Sequence, residues 1–291
     1  MKLAIDRSIL ALCFAWTALL SAQTTKPDAT QAYVYWTNYA NGSIGRATLS
    51  GTDVDQTFVP STTGGGPGNG GMTVNADYIY WTGANGGTAT NVGRANINGT
   101  GGDATFITGG TNPCGVAVNG TYIYWYGDTS NYIGRANLDG SDVNQTFIDA
   151  GEEGCGLAVT SEAIYWSSYR NGYIGRAALD GAHVDPTFID YGDGGGIAIQ
   201  GDYIYYTSSG GAAIGRVGLN GSDLNPSFIT GLTGSPAFLA VNSKYIFWAN
   251  VGSGYTGTTI GRANLDGSDV NQSLITGADG PFGIAVTDGN P

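Results

Sequence analysis

One tetrapeptide, written six times at nearly even spacing, limits what this chain can fold into more than any other feature. Ile-Gly-Arg-Ala begins at Ile44, Ile133, Ile174 and Ile260, and variants open at Val92 and Ile214. Its arginines, Arg46, Arg94, Arg135, Arg176, Arg216 and Arg262, are 48, 41, 41, 40 and 46 residues apart. A period in this range marks supersecondary units that bury their apolar faces against one another. Upstream of each copy lies an aromatic cluster, centred on Trp36, Trp81, Trp125, Trp166, Tyr206 or Trp248. Downstream come a Gly-centred turn such as Asp139-Gly140 and then a segment like Gln145 to Ile148. A fourth segment, Gly115 to Val118 and its equivalents, precedes the aromatic cluster. All four are short, rich in aromatic and β-branched residues, and bounded by turn residues, so each reads as a strand. The Asp-Gly and Asn-Gly pairs supply the positive φ of a tight hairpin turn.

Four strands per repeat predict a propeller blade. The first repeat starts directly at its aromatic cluster, with Tyr33, whereas the chain ends with an orphan Gly283 to Val286. That last strand is expected to complete the first blade as its innermost member, which removes two exposed sheet edges. The expected fold is all-β: a six-bladed β-propeller of four antiparallel strands per blade, closed by the C-terminal strand. It occupies 33–291, after a signal peptide over 1–23 and a linker over 24–32. Lys2 and Arg7 before the apolar run Ile9 to Leu20, with Ser21 and Ala22 following, are the marks of an export signal.

Composition narrows the partners. The chain has 11 Lys and Arg against 23 Asp and Glu, for a net charge of -12. Nucleic acid and anionic membranes are held largely by basic patches, so neither is expected as a partner. No segment after the leader reaches the roughly 18 apolar residues of a membrane span. The expectation is a secreted protein, extracellular or periplasmic, and monomeric.

The Tyr-Trp-Thr clusters, the phrase Ile-Gly-Arg-Ala-Asn-Leu-Asp-Gly-Ser-Asp and the Gly-Ile-Ala-Val strand together resemble the class B (YWTD) repeats of the low-density lipoprotein receptor family. The resemblance spans Tyr33 to Val286 and implies a six-bladed propeller used as a binding or scaffolding module, here without the flanking modules of receptors. It departs from that family in one respect. The Asp ending the family's tetrapeptide is replaced by Asn38, Gly83, Gly127, Ser168, Ser208 and Asn250. The Ile-Gly-Arg phrase also resembles virginiamycin B lyase, but that family's catalytic histidine has no counterpart here.

The repeated residues read as structural. Each arginine is expected to tie carbonyls or a carboxylate of its own or the next blade, and Trp36, Trp81, Trp125, Trp166 and Trp248 to fill the wedges between blades. Cys114 and Cys155 stand at one repeat position, each just before an inner strand. A disulfide, two small buried residues, or a metal or nucleophile site all remain open for them. His183 is the only histidine, at a peripheral turn, which leaves hydrolase triads and histidine zinc sites without their principal residue.

Departures from the repeat are the better guide to a ligand site. Three insertions, Ser61 to Gly71, Gly83 to Asn91 and Asn250 to Thr259, emerge on the face that carries the connections between blades, over blades six, one and two. The same face receives Asp128, Glu152, Glu153, Tyr169, Arg170, Asp193 and Asp279. With Asn250 and Tyr255, these are the ligand-binding candidates. No catalytic residue is assigned. The favoured expectation is a non-catalytic binding or scaffold propeller engaging a protein or glycan through this acidic face. The alternative is a metal-dependent lactonase or lyase at the axial mouth, where clustered carboxylates suit calcium or magnesium, with calcium as the candidate cofactor; propeller lactonases related to gluconolactonase use an axial metal, but their ligand set finds no match here.

Overall fold

The computed structural model describes residues 31–61, 70–83, 90–192, 195–208 and 212–288. The expected leader 1–23, residues 24–30 of the linker, parts of the first two insertions (62–69 and 84–89) and Asp193 lie outside the described residues.

Twenty-four strands form six separate four-stranded antiparallel sheets. Blade one holds β1 (Tyr33–Asn38), β2 (Ser43–Thr48) and β3 (Asp55–Val59). Blade two holds β4 (Met72–Val74), β5 (Tyr78–Thr82), β6 (Val92–Asn96) and β7 (Asp103–Ile107). Blade three holds β8 (Pro113–Val118), β9 (Tyr122–Gly127), β10 (Tyr132–Asn137) and β11 (Asn144–Asp149). Blade four holds β12 (Gly154–Val159), β13 (Ala163–Ser168), β14 (Tyr173–Ala178) and β15 (Asp185–Asp190). Blade five holds β16 (Ile197–Gln200), β17 (Tyr203–Thr207), β18 (Ile214–Gly218) and β19 (Asn225–Ile229). Blade six holds β20 (Pro236–Val241), β21 (Tyr245–Asn250), β22 (Thr259–Asn264) and β23 (Asn271–Thr276), and β24 (Pro281–Val286) returns to blade one.

Five blades run in sequence order from axis to rim, while blade one has the order β24-β1-β2-β3. Val286, Ala285 and Ile284 pair with Val34, Tyr35 and Trp36. Beyond the strand ends, the Tyr33 amide donates to Thr287 Oγ1 at 2.9 Å and the Thr287 amide to the Tyr33 carbonyl at 3.0 Å. Each inner strand neighbours the next around the axis, and β24 meets both β20 and β4.

The two-residue alternation of a strand explains the aromatic clusters. Tyr35 faces blade two, where it packs with Ile79 and Trp81. Trp36 faces blade six, against Phe247, Ile260 and Ile275. Six such clusters fill the six wedges, and five tryptophans are at most 1% exposed. This packing also explains the glycine of Ile-Gly-Arg. Gly134 pairs with Trp125 across the sheet, and a Cβ there would lie 2.2 Å from the indole. The same conflict arises at Gly45, Gly93, Gly175 and Gly261, and against Tyr206 at Gly215.

The repeated arginines do more than bond a carbonyl. Arg46 is stacked between Tyr33 and Phe58, with ring centroids 4.3 and 3.8 Å from its guanidinium carbon. Arg94, Arg135 and Arg216 are sandwiched in the same way. Ala163 stands where other blades carry the first Tyr, and Arg176 is accordingly more distant from its rings, at 5.8 and 5.3 Å. The edges of these guanidiniums reach the next blade: Arg94 donates to the Leu138 carbonyl (3.1 Å), Arg135 to that of Leu179 (3.4 Å) and Arg262 to that of Leu49 (2.7 Å). Cation–π contact and a charge-assisted hydrogen bond are thus combined in one planar group.

Near the axis, hydroxyls tie consecutive blades. Thr82 donates to the Cys114 carbonyl (2.6 Å), Ser167 to that of Gly195 (2.6 Å) and Thr207 to that of Ala237 (2.8 Å). Blade three has Tyr126 at this position and blade six has Ala249. Other ties serve those two seams. Between blades three and four, Cys114 and Cys155 form a disulfide with Cα atoms 5.2 Å apart, within the usual span. Between blades six and one, Phe238 packs on Phe282, with ring centroids 5.4 Å apart.

The Asp139-Gly140 turn closes with the Gly140 amide on the Asn137 carbonyl at 2.9 Å and Gly140 φ at 89°. It is only the first half of the connection to β11, because Asp142, at φ 54°, turns the chain again. His183 occupies the equivalent position at φ 56°, so it serves a backbone bend.

Two variants test the packing. Gly134→Ala is expected to lower unfolding free energy by about 2–4 kcal/mol, whereas Gly120→Ala, with nothing within 4 Å of the new Cβ, changes it by less than about 0.5 kcal/mol. Urea titration of both checks the contrast. Cys114→Ser should cost about 2–4 kcal/mol, and the oxidised chain produced without residues 1–23 should show no free thiol under denaturing, non-reducing conditions.

Candidate functional site

Because strand direction alternates, the connections between blades and the loops between second and third strands all emerge on one face, here the connector face. The turns between first and second and between third and fourth strands form the opposite face. Two groups of side chains stand on the connector face, on opposite sides of the axis.

The first straddles blades three and four. The Tyr169 hydroxyl bonds Asp128, and the Tyr126 hydroxyl bonds the Glu152 carbonyl. Glu152 also accepts from Ser168 Oγ (3.0 Å) and from the Asn171 amide. The Arg170 Nε lies 2.6 Å from Glu153. Five candidates, Asp128, Glu152, Glu153, Tyr169 and Arg170, are therefore brought together, but four satisfy one another in pairs and Glu152 is taken up by Ser168 and Asn171. Burial, reinforced by Asp128, holds the Tyr126 and Tyr169 phenols above the usual phenol range. The Glu153 carboxylate raises Arg170 further. Elsewhere, Asn250 is buried, and its amide donates to the Gln272 carbonyl and Thr259 Oγ1, both at 2.9 Å. Asn38 makes the corresponding bonds in blade one, to the Gln56 carbonyl and Ser43 Oγ. An amide thus makes an internal tie at the position where the YWTD repeat has its Asp, and the Asn250 amide nitrogen is engaged within blade six.

The second group lies across the seam between blades six and one. The insertion after β21 forms a short 3-10 turn, Ser253–Tyr255, with Tyr255 at φ 62°. A bulky residue in this region is strained by about 1–3 kcal/mol, and such strain clusters at functional sites. Tyr255 stacks on Tyr39 of the β1–β2 loop, with centroids 4.6 Å and planes 25° apart. It also touches Phe282 at 5.7 Å, which continues to Phe238. The result is an aromatic ridge from the middle of the blades toward the axis, exposed at Tyr39 (38%) and Tyr255 (36%). Asp279 is exposed beside it, its carbonyl accepting the Ala40 amide at 3.2 Å.

The axial mouth is stoppered. Inner strands carry glycine at Gly71, Gly115, Gly156, Gly196 and Gly283, but blade six has Phe238 at that position. A Cβ on Gly71 would lie 3.3 Å from the Phe238 ring, and one on Gly196 would lie 3.0 Å from it, so the ring reaches blades two and five. Beneath it, the axial channel has a volume of about 180 Å³ and is lined by the six inner strands, with no charged residue. Among the described residues, no three His, Cys, Asp or Glu side chains gather in a way that would hold a metal ion.

Tyr39, Phe282 and Phe238 were not among the sequence candidates. The signal was present for Phe238 as the one bulky letter in a column of glycines, and for Phe282 as an aromatic where other blades have Gly, Cys or Ala. Tyr39 carried no signal, because its partner lies in the last blade.

No family model matches the sequence, and no curated protein matches it. Solved structures do match. The crystal structure of a nidogen/laminin complex superposes with a TM-score of 0.67 at 16% identity, covering 89% of this chain and 100% of that one. A gluconolactonase from Xanthomonas campestris gives 0.56 at 16% identity over 68% of this chain and 73% of that one. A catalytically inactive virginiamycin B lyase from Staphylococcus aureus, crystallised with quinupristin, gives 0.51 at 21% identity over 75% and 73%. The likeness is one of fold. It supports the six-bladed propeller architecture, a fold found in structures as different as a nidogen/laminin complex, a gluconolactonase and a lyase. Among the described residues, no helix is long and apolar enough to cross a membrane.

Three raised phenols, two of them buried, give a pH dependence. Burial pushes Tyr35 up to about 12, and Tyr126 and Tyr169 are raised as well. Unfolded tyrosines ionise near about 10, so the folded state binds more protons above that pH. Their contribution to stability is complete below pH 10 and is lost as pH rises through the folded values. The urea midpoint is expected to fall steadily above about pH 10, and less steeply in Tyr169→Phe.

Proposed function

We propose that the chain is a secreted, monomeric, non-catalytic binding propeller, a stand-alone relative of the YWTD repeats, that engages a protein partner through its connector face. The observation that carries this reading is the stacked, exposed Tyr39–Tyr255 pair, held in part by a strained backbone in the blade-six insertion. Exposed tyrosines on a rigid frame are the usual anchors of protein interfaces, since they bury large area at low entropic cost. The nidogen/laminin neighbour, in which a propeller of this shape belongs to a protein complex, supports a protein over a glycan. The lactonase or lyase alternative has less behind it. Phe238 occupies the axial mouth, and the described carboxylates of Glu152, Asp128 and Glu153 are engaged by Ser168, Tyr169 and Arg170.

Immobilised full-length chain and its Tyr39→Ala/Tyr255→Ala variant, exposed to the extracellular fraction of the source cells, test the reading. A partner held by the native chain is expected to be lost or weakened at least about 30-fold by the double variant, the loss of about 2 kcal/mol typical of an interface anchor. Equal retention by both chains would place the interface elsewhere. Calcium or a chelator should move the thermal midpoint by less than about 1 °C, since only an ion that binds the folded state stabilises it.

A further inference from the structure

We propose that the ridge takes an arginine side chain from its partner, the guanidinium lying on the Tyr39–Tyr255 stack with its N–H edge toward Asp279. This rests on the binding reading above and specifies its chemistry.

Charge selects a cation. The described connector face carries Asp128, Asp149, Asp190, Asp279, Glu152 and Glu153, and its one cationic side chain, Arg170, is paired with Glu153. The other described cations are elsewhere. Six are the arginines of the third strands, and Lys244 is on the turn between β20 and β21, on the opposite face. No side chain of the described protein therefore competes for the electron-rich faces of the tyrosines. Asp279 stands beside them because the Tyr39 amide bonds the Gly280 carbonyl at 3.0 Å.

Shape selects a guanidinium over an ammonium. Tyr39 and Tyr255 are near-parallel plates at 25°, and a third planar group extends such a stack, whereas a tetrahedral ammonium does not. The chain already uses this chemistry internally: Arg46, Arg94 and Arg135 each lie 3.8 to 4.5 Å from two ring centroids while their edges stay free to donate. The exposed pair is closed on itself at 4.6 Å, so a cation meets an outer ring face of the stack and does not enter between the rings. Its geometry is fixed beforehand, because Thr256 Oγ1 bonds the Ser253 carbonyl at 2.9 Å and Gly280 sits so close that a Cβ there would be 2.6 Å from the Tyr255 carbonyl oxygen.

The test is an NMR titration of full-length protein, labelled on tyrosine rings, with the capped tripeptide Gly-Arg-Gly and with its lysine and citrulline counterparts. Methyl glucoside serves as a sugar probe. The arginine peptide is expected to shift Tyr39 and Tyr255 in a saturable way, the lysine peptide to bind about three- to fivefold more weakly, and citrulline to have no effect. Tyr255→Ala should abolish the shifts and Tyr255→Phe should keep them, which separates loss of the ring from loss of the fold. Equal response to citrulline or lysine, a larger response to the sugar, or shifts confined to Tyr169 would overturn the proposal. Failure here with partner retention still dependent on Tyr39 and Tyr255 would refute only the arginine anchor. Retention independent of both would refute the interface itself.

Discussion

The ring exists because a strand from the end of the chain pairs with a strand from its beginning. Until β24 lies along β1, blade one has a bare inner edge, and Trp36 and Val34 have no continuous wall of blade six to pack against. All six wedges are filled by the same alternation of one aromatic toward each neighbour, Tyr and Trp in four blades, Tyr205 and Tyr206 in blade five and Phe247 and Trp248 in blade six, so closure is what gives the last wedge its second side. It is also a long-range contact, whose entropic cost is met only when the intervening blades are already stacked.

The axial ties show how the repeat handles its own exceptions. Thr82, Ser167 and Thr207 join neighbouring blades by one hydroxyl each. Where Tyr126 displaces that hydroxyl, a disulfide and the Tyr126–Glu152 bond hold the seam. Where Ala249 removes it, Phe238 and Phe282 pack together instead. Among the described residues, these two seams also carry the two side-chain groups of the connector face. One bears the self-satisfied acidic network, and the other bears the aromatic ridge. The closing seam therefore supplies both the last contact of the fold and its most distinctive surface.

Much of this was legible in the sequence, for reasons that are local. Blade number, strand identity and the permuted closure follow from period, alternation and the orphan Gly283 to Val286 segment. Cys114 and Cys155 could be placed side by side because they share a repeat position, although their bonding could not be read. The carbonyl half of the arginine contacts was expected. The aromatic half was not, because Tyr33 and Phe58 flank Arg46 only once three strands pair. Longer-range relations were out of reach. Nothing in the letters says that Tyr39 meets Tyr255, that Phe238 crosses the axis, or that Glu152 and Asp128 bond their neighbours in place of a ligand.

The claim that binding is centred on the closing seam is tested most directly by hydrogen exchange on the full-length chain with its captured partner. Protection is predicted in the segments 38–41, 250–258 and 278–283, which flank that seam, with little change over 149–153 and 168–171. Protection confined to the acidic segments of blades three and four, with the seam unchanged, would contradict it.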